Sequence, residues 1–246
     1  MKNLSRFFIF LLLFLNTSAL AARLKIPILM YHHIRLPLST DTLLYHDLSV
    51  SPELFLEHLT FLKEQYYEPV TFYDVYEHYK NNKPLPAKPI ILTFDDGAAN
   101  NWDAFLELKK FQMKAVFFII TSHIGDAKHL DDVQLKTMAE SGMEIGSHSK
   151  THRDLTTLSE MDSAEEIYRS KYLLEKITGK PVVSFCYPAG KYNKTIVGQL
   201  IDNNYFFART TEPGVANFSG IRTKADFQLK IIRIHNYTKL KDVLKT

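Results

Sequence analysis

The sequence predicts an α/β fold built on a mostly parallel sheet of about seven strands. Short apolar runs rich in β-branched and aromatic residues alternate with longer stretches of helical periodicity, the pattern of repeated βα units. Side chains capable of chemistry fall just after those runs, and in parallel α/β architectures the C-terminal strand ends form the active-site face. At 246 residues and 46% hydrophobic, the chain suits a single core closed as a barrel of βα units. A doubly wound open sheet obeys the same periodicity.

The first segment is unlike the rest. Lys2 and Arg6 precede the apolar run Phe7–Leu15, and Ala19-Leu20-Ala21 supplies an Ala-x-Ala site. This is the layout of a secretory signal peptide cut after Ala21, and the apolar run is shorter than the roughly 20 residues of a membrane span. The expected organisation is a signal over 1–21 and one domain over 22–246. The product would be exported to a periplasm, a cell envelope or the medium. Cleavage leaves 28 basic and 27 acidic side chains, a net charge of +1, with no basic stripe for nucleic acid. The single cysteine, Cys186, excludes an internal disulfide and sits in an apolar strand pattern, which reads as a buried thiol.

The elements follow in order. Ile26–Tyr31 is the first strand, and His32-His33 ends it; alternation points one imidazole inward and the other away. Ser51-Pro52-Glu53 opens a helix with Phe55, Leu59 and Leu62 on one face. Asn81–Pro89 reads as a surface connection into the strand Ile90–Phe94, which runs directly into Asp95-Asp96-Gly97. A helix over Asn101–Phe111 precedes the strand Ala115–Ile120, and a helix over Asp131–Ser141 stops at Gly142. The strand Met143–Ser147 ends in His148-Ser149-Lys150-Thr151-His152. The longest helix, Met161–Thr178, turns Ile167, Leu174 and Ile177 inward and is capped by Gly179. Val182–Cys186 leads into Tyr187-Pro188-Ala189-Gly190, a helix covers Thr195–Asn203, and strands Tyr205–Arg209 and Lys230–Ile234 complete the set, with His235 after the last.

Two of these strand ends carry most of the chemistry. Asp95-Asp96 offers adjacent carboxylates, and His148 and His152 offer imidazoles at metal-ligand spacing. One carboxylate and two imidazoles hold a metal with positions left for water and substrate, and the second carboxylate is then free as a base. Singly, a solvated turn explains the aspartates and two surface histidines explain the imidazoles. A turn at Tyr187–Gly190 can present a backbone N–H to an oxyanion.

In combination these segments resemble the polysaccharide deacetylases related to chitin and peptidoglycan deacetylases, carbohydrate esterase family four. Thr93-Phe94-Asp95-Asp96-Gly97 is similar to the family's first motif, His148–His152 to its second and Phe185–Gly190 to its third. Pro27–Ile34 resembles the subgroup that acts on exopolysaccharides such as poly-N-acetylglucosamine. The resemblance spans most of residues 26–238 and implies a distorted barrel of about seven βα units. It implies that Asp96, His148 and His152 bind a divalent metal, zinc first, with cobalt, manganese or nickel as alternatives. It makes Asp95 the general base and the Tyr187 N–H an oxyanion donor, with Tyr187 and Pro188 in substrate binding. The general acid is His32 or His235, with His32 favoured. The arginine of the third motif is absent beside Phe185–Pro188, and Arg233 is the expected substitute, also in substrate binding. The fourth motif is not evident in Thr211–Ser219.

The implied activity is hydrolytic N-deacetylation of an N-acetylated glycan, releasing acetate. The alternatives are a catalytically impaired carbohydrate-binding protein on the same fold and an O-acetyl esterase. The partner is a glycan polymer or oligomer rather than nucleic acid, and the cleaved protein is expected to be monomeric and not integral to a membrane. Loops over Arg35–Val50 and Thr211–Gln228, with Tyr45 and Phe218, are the candidates for sugar contact.

Overall fold

The computed structural model describes residues 23–244; the signal peptide expected over 1–21 lies outside them. The elements, in chain order, are β1 (Leu24–Ile26), β2 (Ile28–Tyr31), β3 (His33–Ile34), α1 (Leu43–Asp47), β4 (Ser49–Val50), α2 (Pro52–Glu64), β5 (Glu68–Pro69), α3 (Phe72–Asn81), β6 (Pro89–Phe94) and α4 (Asn101–Lys110). Then follow β7 (Val116–Ile119), α5 (Asp132–Glu140), β8 (Glu144–Ser147), α6 (Glu160–Thr178), β9 (Ser184–Cys186), α7 (Lys194–Asp202), β10 (Phe207–Pro213), β11 (Ala216–Phe218), β12 (Leu229–Arg233) and α8 (Leu240–Val243). Seven parallel strands close a ring in the order β2-β12-β10-β9-β8-β7-β6, and β6 returns to β2 with Ile28 opposite Ile91 and Tyr31 opposite Phe94. The closed barrel, rather than the open sheet, is therefore the solution this chain adopts.

Strand alternation sorts the core into two shells. Ile28, Met30, Ile91, Val116, Phe118, Phe207 and Ile231 pack together inside the ring. Leu29, Tyr31, Leu92, Phe94 and Phe117 belong to the larger cluster beneath the helices, with Phe55, Leu59 and Leu62 of α2 and Ile167 and Leu174 of α6. The same parity turns Thr93 and Asp95 toward the interior after Ile91. On β8 it aligns Glu144, Gly146 and His148 along one line from the bottom of the barrel to its top. Gly146 is required there, since a Cβ would meet the Phe118 ring at 2.6 Å and Ser184 Oγ at 2.8 Å.

Three features depart from the sequence reading. The first predicted strand breaks at Pro27, which cannot donate to a ladder; β1 leaves the ring and pairs antiparallel with β11, Leu24 opposite Phe218. Helix α3 is additional. Its signal is the capping box Thr71-x-x-Asp74, in which Asp74 N donates to Thr71 Oγ1 at 3.1 Å and Thr71 N donates to Asp74 Oδ2 at 3.0 Å. Phe72 from α3 and Phe218 from β11 meet Phe118 and Phe207 and plug the bottom of the barrel. Phe218 is fully buried in this plug, so it offers no face to a sugar. Among the described residues no helix is long and apolar enough to cross a membrane.

Candidate active site

The ends of β6, β8, β9 and β10, with the residue after β2, converge at the top of the barrel. Asp95 leaves β6 with its amide donating to the Tyr31 carbonyl at 3.0 Å, so the residue is held by the ladder, and its side chain is buried. Its Oδ1 accepts a hydrogen bond from Nη2 of the fully buried Arg209, and its Oδ2 lies 3.7 Å from His32 Nε2. Burial pushes the Asp95 pKa up. The guanidinium, with His32 and His148, pulls it down further, so the group stays ionised below the usual carboxylate range.

Asp96 turns the other way because its backbone is left-handed, φ 70°. Its Oδ1 lies 3.4 Å from His148 Nε2 and 3.8 Å from His152 Nε2. Tautomers follow from the second nitrogen of each ring. His148 Nδ1 donates to the Cys186 carbonyl at 2.8 Å, which leaves Nε2 facing the Asp96 carboxylate; against its burial, the neighbouring Cys186 and Asp96 raise the ring's pKa well above its ordinary value. Nε2 and the carboxylate thus hold a cation between them, the ring's own proton or a metal that replaces it. Zinc–ligand bonds of about 2.0–2.1 Å arranged tetrahedrally space the ligand atoms about 3.3 Å apart, close to the separations found here. The donor set and its geometry therefore fit a divalent metal.

Local backbone work brings His152 into range. Ser149 and His152 also adopt left-handed conformations, φ 65° and 61°. The turn is secured where the His152 amide donates to Ser149 Oγ at 2.9 Å, and where Thr151 donates through N and Oγ1 to the Glu166 carboxylate of α6 at 2.7 and 2.6 Å. Left-handed non-glycine residues cost on the order of 1 kcal/mol each, less for Asp and His than for bulkier side chains. Three of them around one cluster mark a site where geometry outranks local preference. Burial, then the neighbouring His148, lowers the His152 pKa, and Asp96 is held below the usual carboxylate range despite its burial, chiefly by the hydrogen bond and charge of His148. Cys186, on β9, is buried with Sγ 3.8 Å from Asp95 Oδ2 and 3.7 Å from His148 Nε2, and burial pushes its thiol up.

The other sequence candidates fare differently. His32 reaches the cluster. Asn101 Nδ2 donates to its carbonyl at 2.6 Å, and burial lowers its ring pKa against the pull of Asp95 and Asp96. His33 points away and stacks on Tyr45, ring centroids 5.4 Å apart. His235 ends β12 beside β2, but its Nδ1 lies 2.8 Å from Asp47 Oδ2 of α1 and its ring stacks on Tyr237, so it is not brought to Asp95. Arg233 does not fill the place of the missing arginine: Arg209 does, from a neighbouring strand. Its sequence signal is a basic residue at an inward position of the apolar run Tyr205–Arg209, where an unpaired charge would be costly. Tyr187 is also corrected. Its ring is buried and stacked on Tyr192 at 4.9 Å, its hydroxyl donates to the Phe227 carbonyl at 3.1 Å, and its N–H donates to the Arg209 carbonyl at 3.3 Å. Pro188 is buried as well. Neither offers a substrate surface, and the Tyr187 amide is committed to the sheet.

Comparison with known proteins agrees with this architecture. The family model for polysaccharide deacetylase matches residues 82–207. YxkH of Bacillus subtilis, named for polysaccharide deacetylation, is 34% identical over 194 residues, covering 78% of this chain and 67% of that protein. The Streptococcus pyogenes deacetylase PplD, solved in complex with acetate, superposes with a TM-score of 0.82 at 31% identity, over 92% of this chain and 99% of that one. The poly-β-1,6-N-acetyl-D-glucosamine N-deacetylase of Escherichia coli is 26% identical over 217 residues, 70% of this chain but 32% of that protein. The seven-stranded parallel barrel is the fold of the solved deacetylase PplD. This chain belongs to the polysaccharide deacetylase family.

Proposed function

We propose that the protein is a metal-dependent N-deacetylase acting on a polymer of N-acetylglucosamine, exported through the signal carried by residues 1–21. The observation that carries the reading is the pairing of two aspartates with opposite duties. Asp95 is buried and neutralised by Arg209, while Asp96, one residue on, meets His148 and His152. The substrate class rests on the resemblance of Pro27–Ile34 to the exopolysaccharide subgroup and on the likeness to the Escherichia coli enzyme.

Asp96, His148 and His152 would hold the metal, zinc by the chemistry of two imidazoles and one carboxylate. A divalent ion there supplies Lewis-acid polarisation and lowers the pKa of water. Asp95, held as a carboxylate, takes a proton as water adds to the acetyl carbonyl carbon, and Arg209 fixes the carboxylate so that Oδ2 faces the reaction. His32, neutral at rest because of its burial, lies 3.7 Å from that oxygen and receives the proton. It passes it to the sugar nitrogen as the C–N bond breaks, giving acetate and an amine. With the Tyr187 amide engaged, the donor to the oxyanion is the next amide of the turn, that of Ala189, an exposed residue with φ 53°.

The test is acetate release from N-acetylglucosamine oligomers by the zinc-loaded protein. Asp95→Asn should abolish release and retain zinc, Asp96→Ala should lose both, and His32→Asn should lose release with zinc kept. Full turnover in Asp96→Ala, or no release by the zinc-loaded wild type, would overturn the reading.

A further inference from the structure

A second group of metal-ligating side chains stands outside the site already described. The loop after β7 carries His123, Asp126 and His129, and one ligand atom from each lies within 4.8 Å of the others. The spacing of three is produced by consecutive turns: Asp126 N donates to the His123 carbonyl and His129 N to the Asp126 carbonyl, both at 3.1 Å. Each turn returns the next side chain to the same side of the loop. The two imidazoles sit with ring centroids 4.5 Å apart, and His129 Nδ1 donates to Asp126 Oδ1 at 2.7 Å. His123 Nδ1 is buried with no hydrogen-bond partner, an orphan polar atom on the ring that packs against His129.

We propose that His123, Asp126 and His129 bind a second divalent transition metal. Two imidazole nitrogens and one carboxylate oxygen are the donors that zinc and its late first-row neighbours prefer, with water completing the shell. The three ligand atoms lie within 4.8 Å of one another, against a tetrahedral edge of about 3.3 Å, and Asp126 is exposed and free to adjust by side-chain rotation. Metal binding would replace the His129–Asp126 hydrogen bond with metal–ligand bonds from both groups. The assignment does not depend on the catalytic reading.

The loop's backbone gives the site a purpose. Ala99 N donates to the Lys128 carbonyl at 2.8 Å and Leu130 N to the Gly97 carbonyl at 2.9 Å, tying the loop to the turn that follows Asp96. Thr121 N and Ser122 N donate to the Ser149 and Lys150 carbonyls at 3.3 and 2.8 Å, tying its start to the turn between His148 and His152. A metal joining His123 to His129 therefore staples a segment that is hydrogen-bonded to both halves of the catalytic cluster.

The experiment is the zinc content of the full chain after dialysis, measured by elemental analysis. The wild type should hold two equivalents. His123→Ala with His129→Ala should hold one, Asp96→Ala with His148→Ala should hold one, and the quadruple variant none. Zinc should also raise the melting temperature of the Asp96→Ala/His148→Ala protein, and that rise should vanish when His129→Ala is added. One equivalent in the wild type, unchanged by the loop substitutions, overturns the proposal. So does an Asp96→Ala/His148→Ala protein that holds no zinc. Failure of the deacetylase reading alone would leave the loop's equivalent of zinc in place.

Discussion

The barrel interior holds one carboxylate near each end, and they are opposites. Asp95 at the top and Glu144 at the bottom are both buried, at 3% and 7% exposure. Asp95 has Arg209 against it and stays charged. Glu144 has neutral donors, the Ser184 and Thr71 hydroxyls and the Tyr73 amide, and burial, with the nearby charge of Asp74, pushes its pKa up to about 7. The same desolvation acts on both, and the charges around them, chiefly the Arg209 guanidinium at the top, keep Asp95 ionised while Glu144 holds its proton to much higher pH.

Removing that guanidinium is the strongest way to break the contrast. Arg209→Met leaves a buried, unpaired carboxylate, and the expected loss is about 3–5 kcal/mol of stability in chemical denaturation, with acetate release abolished. Adding Asp95→Asn to that variant should recover much of the stability and none of the activity; a double variant no more stable than Arg209→Met would refute the pairing. Asp95→Asn alone tests the chemical half of the comparison. Turnover should fall by about 10²–10⁴-fold while zinc content holds, and a rate close to wild type would remove Asp95 as base.

Glu144→Gln tests the other end. The folded state keeps the Glu144 proton between its ordinary value and about 7. The resulting stability is full below the unfolded pKa and gone above the folded one. Wild-type stability should thus decline across that window, relative to the variant, by at most about 3 kcal/mol. Denaturation at either side of the window reads this, and parallel curves for the two proteins would mean that Glu144 folds ionised. The smallest effect belongs to His235→Asn. With its ring on Asp47, acetate release should stay within about three-fold of wild type, well inside the range lost when a general acid is removed.

The seven barrel strands and five of the helices were legible because each element follows one period of apolar residues. Helix α3 was not, since its pattern is interrupted by polar groups and only Thr71 and Asp74 announce it. The metal-ligand candidates Asp96, His148 and His152 could be found because they are close in sequence and fall at strand ends. Arg209 and Cys186 reach the same place from other strands, and their meeting with Asp95 depends on which strands are neighbours, which periodicity does not encode. The Tyr187 expectation failed for a related reason: whether an amide is free depends on the register with β10, and that register assigns it to Arg209. The cluster on the loop after β7 was overlooked because its ligands repeat every three residues through turns, outside any helical or strand pattern.

The closed ring has a consequence for how the chain is made. β12 lies between β10 and β2, with Arg233 opposite Met30, so the circle is completed by residues just over 200 positions apart in sequence. Such distant pairing folds slowly. During synthesis Asp95 emerges long before Arg209, and until the last strand arrives both β2 and β10 present open edges. The nascent chain thus passes through a stage with an uncompensated interior charge and unpaired strands, the condition in which aggregation competes with folding and a holding chaperone has most to offer.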